Sequence, residues 1–243
     1  MKKIRITING RAKEVAAGSD LVLLDLLREH FRLTGAKQSC DRKGQCGACM
    51  VVVNGKAVLS CLAKVEKLDG AEVISVEGLG TPDNPHLIQE AFVLAGAIQC
   101  GFCTPGMIMA AKALLDANPN PTVDEIKHAF RRNLCRCTGY VKIIAAVQLA
   151  ARFLRGEISP GDIRPRPTDP KMGVSHPRPS AMAKACGTAA FAADILMPGA
   201  AEIAVVRSPH MHAAIKSVDC TVAEALHGVI GILTAKDIQG TNR

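Results

Sequence analysis

Eight of the ten cysteines stand in two close-set groups whose spacing suits metal binding. Cys40, Cys46 and Cys49 form C-x5-C-x2-C, and Cys61 follows after eleven residues. Cys100 and Cys103 form a second C-x2-C, joined after 31 residues by Cys135-Arg-Cys137. Four thiolates per group are what a [2Fe–2S] cluster needs, since each iron completes a sulfur tetrahedron with two cysteines. The chemistry implied is one-electron transfer through two centres in series. Structural zinc also uses four cysteines, but its sites usually repeat C-x2-C twice. Here the partners are a lone upstream cysteine, a lone downstream cysteine and a C-x-C. A disulfide framework belongs to small secreted chains with poor cores, whereas this chain has 243 residues and is 48% apolar. Met1-Lys2-Lys3 is followed by the alternating Ile4–Asn9 rather than a continuous apolar run, so no secretory signal is read.

The formal charge of +8 invites a nucleic-acid reading. Two oxidised clusters would reduce it to about +4. Aromatic residues are only 3% of the chain, too few to stack bases. A mildly basic surface suited to an acidic electron-transfer partner is the better reading. No apolar run reaches the length of a membrane span. Free thiolates point to the cytoplasm.

The elements that would position the cysteines separate by pattern. Residues 1–78 read as a β-grasp, ferredoxin-like domain, α+β in class. Strand Lys3–Asn9 turns at Asn9-Gly10 into Arg11–Val15. Ser19 is the expected N-cap of a helix through Leu21, Leu24, Leu27 and Phe31, closed by Gly35. Met50–Val53 and Lys56–Cys61 form a second hairpin at Asn54-Gly55. Gly44 and Gly47 let loop amides turn toward the sulfurs; Ser39, Asp41 and Gln45 add local polar groups, of which Asp41 and Gln45 read as ordinary loop polarity. Residues 84–155 read as four helices. Pro85 starts the first, Thr104 caps the second with Pro105 in its first turn, and Thr122…Glu125 is a capping box for the third, to Arg132. Tyr140–Leu154 is the fourth. Met107 and Met109 are expected in the core. Six of the thirteen prolines lie between Pro160 and Pro179, so residues 156–185 are expected to form a stiff linker. Residues 186–243 read as the opening of a larger domain. Strands are expected at Ala204–Arg207, Ala214–Val218 and Val229–Leu233, with a short helix at Ala223–Leu226. Cys186 and Cys220 are read as buried small hydrophobes, and His210 and His212 as strand-edge residues.

The runs QCGACMV…VLSCL, IQCGFCTPGMIM…NLCRCTGY and KACGTAAFAADI…AVVRSPHMHAAI resemble the molybdenum hydroxylases, the xanthine oxidase family. The likeness is to the N-terminal iron–sulfur part of an aldehyde oxidoreductase. It implies a ferredoxin-like 2Fe-2S domain, a helical 2Fe-2S domain and then the start of an α/β-hammerhead. It makes Cys100, Cys103, Cys135 and Cys137 the ligands of an inner cluster and Cys40, Cys46, Cys49 and Cys61 those of an outer one. Gln99 and Cys137 match positions that hydrogen-bond the pterin of a molybdopterin cofactor, in this branch the cytosine dinucleotide form. The implied reaction is aldehyde plus water to carboxylic acid. A flavodoxin, a ferredoxin or a flavin subunit would accept the electrons. With only the linker between residues 155 and 186, no FAD site is expected. The catalytic molybdenum region lies outside these residues, so no catalytic residue is assigned to this chain and a catalytic partner chain or a longer polypeptide is expected. The chain departs from the family by one extra residue between Cys40 and Cys46, expected to bulge from the loop. The other readings are a stand-alone ferredoxin-like carrier and the iron–sulfur part of a xanthine or heteroaromatic hydroxylase.

Overall fold

Ile4, Ile6 and Ile8 are buried while Lys3 and Arg5, on either side of Ile4, are exposed, the period-2 signature of a half-covered strand. In the computed structural model, which describes residues 2–166, 168–170 and 172–240, that segment is β1 (Lys2–Ile8). It pairs antiparallel with β2 (Arg11–Ala17) through a turn at Asn9-Gly10, both at positive φ. β3 (Met50–Val53) and β4 (Lys56–Leu59) form the second hairpin, and β5 (Glu72–Ile74) lies between β1 and β3. The sheet order is β2-β1-β5-β3-β4, with β5 parallel to β1 and antiparallel to β3. This is the β-grasp arrangement expected.

The helix against this sheet differs from its expected form. α1 (Leu23–Asp25) has Val22, not Ser19, as its N-cap and runs on as a π-helix, Leu26–His30. No side chain caps it. Its first amides go instead to the loop carrying Cys61: Leu23 N–H donates to the Ala63 carbonyl (2.8 Å) and Leu24 N–H to that of Ser60 (3.1 Å). Backbone carbonyls from a distant loop do the work a cap side chain would do. Leu23, Leu24, Leu26 and Leu27 are all buried, each contributing about 1.5–3 kcal/mol of transfer free energy.

The helical part comprises α2 (Leu87–Leu94), α3 (Thr104–Ala117), α4 (Val123–Ala129) and α5 (Tyr140–Leu154). α2 is capped by His86, whose Nδ1 accepts from Ile88 N–H. Pro85 lies just before it. The Thr122–Glu125 capping box forms, though α4 stops three residues short of Arg132. α3 lies on β3, and its Met107 and Met109 are fully buried as expected.

The proline-rich stretch is less extended than its composition suggests. It holds two short helices, α6 (Pro160–Ile163) and α7 (Ala181–Ala185). Arg164 pairs with Glu90, and Ala181 and Ala185 are buried where α7 meets α2 and α3. Alanines leave room for close helix approach, which proline density does not reveal. The compact unit containing these elements reaches Asp194.

The second unit, Ile195–Arg243, has α8 (Thr221–Glu224) and a short turn of 3-10 helix at Ala235–Asp237. The three strands expected there are not formed among the described residues, and the helix sits two residues early. A strand needs a neighbour to satisfy its amides, and the apolar Ile203, Val206 and Ile230 are all exposed. His210 and His212 are exposed in irregular backbone. Cys186 is buried as expected, while Cys220 is only half-buried.

Candidate iron–sulfur sites

The first four cysteines converge from one loop and the end of a hairpin. Cys40, Cys46 and Cys49 lie on the loop between the π-helix and β3, and Cys61 lies just beyond β4. Cys40 and Cys46 are within thiol hydrogen-bonding reach of each other, as are Cys49 and Cys61. The loop wraps its amides around sulfur. Burial works to raise the Cys40 pKa, but N–H donation from Gln45, Cys46 and Lys43 outweighs it and brings the thiol down to about 7. Cys46 is pushed up by burial, and Cys61 is pushed up to about 12 by burial and by the neighbouring Cys49 and Cys40.

Two residues explain how the chain turns so tightly. Asp41 and Arg42 both take positive φ (51° and 59°) and are exposed. Arg42 is held by Asp25 at 2.9 Å. Gly44 (φ 68°) packs under Leu62, where a Cβ would lie 2.5 Å from Leu62 Cδ1. No other residue fits there without displacing the leucine.

The second group lies at helix ends. Cys103 immediately precedes α3, and Cys135 and Cys137 lie between α4 and α5. Here the thiols form one run: Cys103 is in reach of Cys135, Cys135 of Cys137, and Cys137 of Cys100. Burial and the adjacent Cys135 push the Cys103 thiol up. The Cys100 N–H donates to Cys137 and lowers it. Cys135 N–H donates to the Oη of Tyr140, the single tyrosine, at 2.8 Å. Gln99 and Cys100 are exposed and Cys137 half-buried, so this group has one open edge. The Gln99 carbonyl at that edge accepts from Arg178 (2.6 Å) and Lys184 (3.3 Å).

Thiols raised by burial are poor ligands for nothing: without a cation their thiolates are costly, and a metal offsets that cost. Among the described residues no group of three or more His, Cys, Asp or Glu clusters as a single-ion site. Four sulfurs at each place are the donor set for two irons, and the amides aimed at sulfur suit an anionic centre. The residues present fit a [2Fe–2S] cluster at each place.

The two places are joined. Leu134 N–H, one residue before Cys135, donates to the Cys46 carbonyl at 2.9 Å. Asn133 Nδ2 donates to the Gly47 carbonyl at 3.2 Å. Gly47 itself (φ 66°) leaves no room for a side chain, since a Cβ would sit 2.7 Å from Asn133 Nδ2. Tyr140, Asn133 and Leu134 were not singled out from sequence. Tyr140 alone carried a signal there, as the only tyrosine in a chain poor in aromatics.

A family model of a 2Fe-2S iron-sulfur cluster binding domain matches residues 6–75, and one of a [2Fe-2S] binding domain matches residues 75–148. The a/b hammerhead domain of aldehyde oxidase and xanthine dehydrogenase matches residues 186–243. The nicotinate dehydrogenase small FeS subunit of Eubacterium barkeri is 50% identical over 147 residues, covering 60% of this chain and 93% of that one. The chain belongs to the molybdenum hydroxylase (xanthine oxidase) family. It is an iron–sulfur, electron-transfer part of such an enzyme and carries two 2Fe-2S binding domains. The aldehyde oxidoreductase of Megalodesulfovibrio gigas is 41% identical over 246 residues, 98% of this chain and 27% of that protein. The crystal structure of the aldehyde oxidoreductase from Desulfovibrio desulfuricans matches with a TM-score of 0.90 and 41% identity, covering 100% of this chain and 28% of that one. The chain thus spans about a quarter of the length of these two members of the molybdenum hydroxylase family.

Proposed function

We propose that this chain conducts electrons from a molybdopterin centre, held mainly outside these residues, to an external acceptor. The observation that carries the reading is the convergence of each four-cysteine set, with the Leu134 N–H to Cys46 carbonyl and Asn133 Nδ2 to Gly47 carbonyl hydrogen bonds joining the two loops. Cys100, Cys103, Cys135 and Cys137 would hold the inner [2Fe–2S] cluster and Cys40, Cys46, Cys49 and Cys61 the outer one. Each cluster supplies one-electron chemistry, so two electrons from one substrate leave singly. The peptide from Cys135 to Leu134, then the Leu134 N–H to Cys46 carbonyl bond, offers a short through-bond route between them.

The domain limits that go with this reading are 1–78 for the ferredoxin-like part, 84–155 for the helical part, 156–185 for the linker and 186–243 for the hammerhead start. The open edge at Gln99 and Cys137 suits pterin contact, with the cytosine dinucleotide form of the cofactor and no FAD in this chain. The proposed overall reaction is oxidation of an aldehyde with water to a carboxylic acid. Arg42 and Lys43 on the outer loop, and Arg131, Arg132 and Arg136 flanking residues 133–135, are exposed. That charge suits an acidic acceptor of the flavodoxin or ferredoxin kind, or a flavin subunit. Among the described residues no helix is long and apolar enough to cross a membrane. We place the protein in the cytoplasm because cluster assembly needs reduced thiols.

Iron and acid-labile sulfide counting tests the cluster assignment. About four of each per chain, with two distinct signals in electron paramagnetic resonance, is the expected result. A single zinc per cysteine set, with no sulfide, contradicts it.

A further inference from the structure

Lys37 is 2% exposed and yet charged by type, three residues before Cys40. Its Nζ lies 2.6 Å from Asp194 Oδ2, and Arg28 reaches Asp194 Oδ1 at 2.7 Å. The Asp194 side chain is itself 3% exposed. It comes from the far end of the compact unit, 157 residues from Lys37. Buried ions are costly unless paired, and these are paired with care. Arg28 also donates to the carbonyls of Thr34 and Ala36, and Glu77 Oε1 accepts from the neighbouring Gly35 N–H. Arg28, Lys37, Asp194 and Glu77 together balance to zero charge.

The chain leading to Asp194 touches both cluster-bearing domains on its way. Gln89 of α2 donates to the Ala185 carbonyl at 3.3 Å. Gly187, at φ 76°, lies against Val76 and Gly35 of the β-grasp domain. The Phe191 ring then covers Lys37 Nζ at 4.6 Å and meets Phe102 edge-on, centroids 5.5 Å apart. Phe102 stands between Cys100 and Cys103. Lys37 N–H donates to the carbonyl of Ala48, next to Cys49. One short segment therefore grips a loop of each cysteine set.

We propose that residues 181–194 form a strap that holds the two cysteine loops in register, with Asp194 as its charged latch and Phe191 as its apolar clamp. Asp194 and Phe191 are thus positioning residues for electron transfer between the centres. This rests on the cluster assignment made above. The latch belongs to the segment where the hammerhead match begins, so the docking of that segment and the geometry of the clusters are coupled. Leaving Lys37 and Arg28 without Asp194 strands two buried cations opposite a single Glu77. That imbalance favours opening of both loops, not of the strap alone.

The test uses the iron-loaded full chain with Asp194→Asn and with Phe191→Leu. Hydrogen exchange is read at residues 34–40 and 99–103, and the spin–spin splitting between the two reduced clusters by low-temperature electron paramagnetic resonance. For Asp194→Asn we expect exchange faster on the order of 100-fold in both loops, with an altered splitting. Should that variant not accumulate as folded chain, Phe191→Leu keeps every charge and carries the test. Its expected change is up to about tenfold in the same direction. Faster exchange confined to residues 186–194, with both loops and the splitting as in the parent chain, overturns the proposal and leaves a mere tether. Failure of the cluster assignment shows separately, as an unmodified chain that does not hold two clusters.

Discussion

Replacing Gly47 by alanine separates backbone strain from steric contact at the seam between the cysteine sets. Gly47 has φ 66°, and so does the chain at Gly55 in the β3–β4 turn within about ten degrees (φ 77°). An added Cβ at Gly55 meets nothing within 4 Å. At Gly47 it would lie 2.7 Å from Asn133 Nδ2 and 2.9 Å from Asn133 Cα, with the Arg132 carbonyl closer still. Both substitutions carry the left-handed penalty of about 1–2 kcal/mol. Gly47→Ala adds about 1–3 kcal/mol of overpacking, because backbone atoms cannot swing aside. It also strains the Leu134–Cys46 and Asn133–Gly47 hydrogen bonds, at about 1 kcal/mol each. The total is about 4–7 kcal/mol against about 1–2 for Gly55→Ala. At about 2–4 °C per kcal/mol for a chain of this size, Gly47→Ala should lower the midpoint by roughly 10 °C or more. Gly55→Ala should lower it by only a few degrees. Thermal bleaching of the visible absorption of the iron-loaded chain reports the midpoint. Equal shifts for the two alanines would refute the claim that residues 132–134 close directly on the outer loop.

Cys49→Ser and Cys103→Ser should each cut iron from about four to about two per chain, leaving the other cluster's signal in place; loss of all iron from either variant would mean the sites do not load independently. In the metal-free chain, Cys40 at about 7 lies below the ordinary thiol value of 9.0. Its thiolate forms as pH rises through about 7, so peptide-mapped alkylation of Cys40 should reach half its maximal rate near there. Cys61, pushed up to about 12, should lag far behind at the same pH. Thr122→Ala removes an exposed capping box and should cost about 1 kcal/mol of stability, with both cluster spectra unchanged.

What the sequence made legible is what local chemistry determines. The cysteine spacing marks both sites, the Thr122–Glu125 box marks the start of α4, and apolar period marks α5 from Tyr140 to Leu154. What escaped depends on contacts between distant segments. Ser19 looks like a helix cap, yet the N-cap of α1 is Val22, because carbonyls of Ser60 and Ala63 already serve the helix's first amides. Lys37 reads as one more surface lysine until Asp194 is brought against it. Prolines hide the packing of Ala181 and Ala185, which the small size of alanine permits. The C-terminal strand patterns are real as patterns, but unpaired strands have nothing to hydrogen-bond.

The central claim, conduction away from a molybdenum centre, is tested by purifying the protein from its own cells and adding an aldehyde under anaerobic conditions. About four irons per molybdenum, with both cluster signals appearing on aldehyde addition, is the predicted result. Iron without molybdenum, in clusters that dithionite reduces and aldehydes do not, would contradict it.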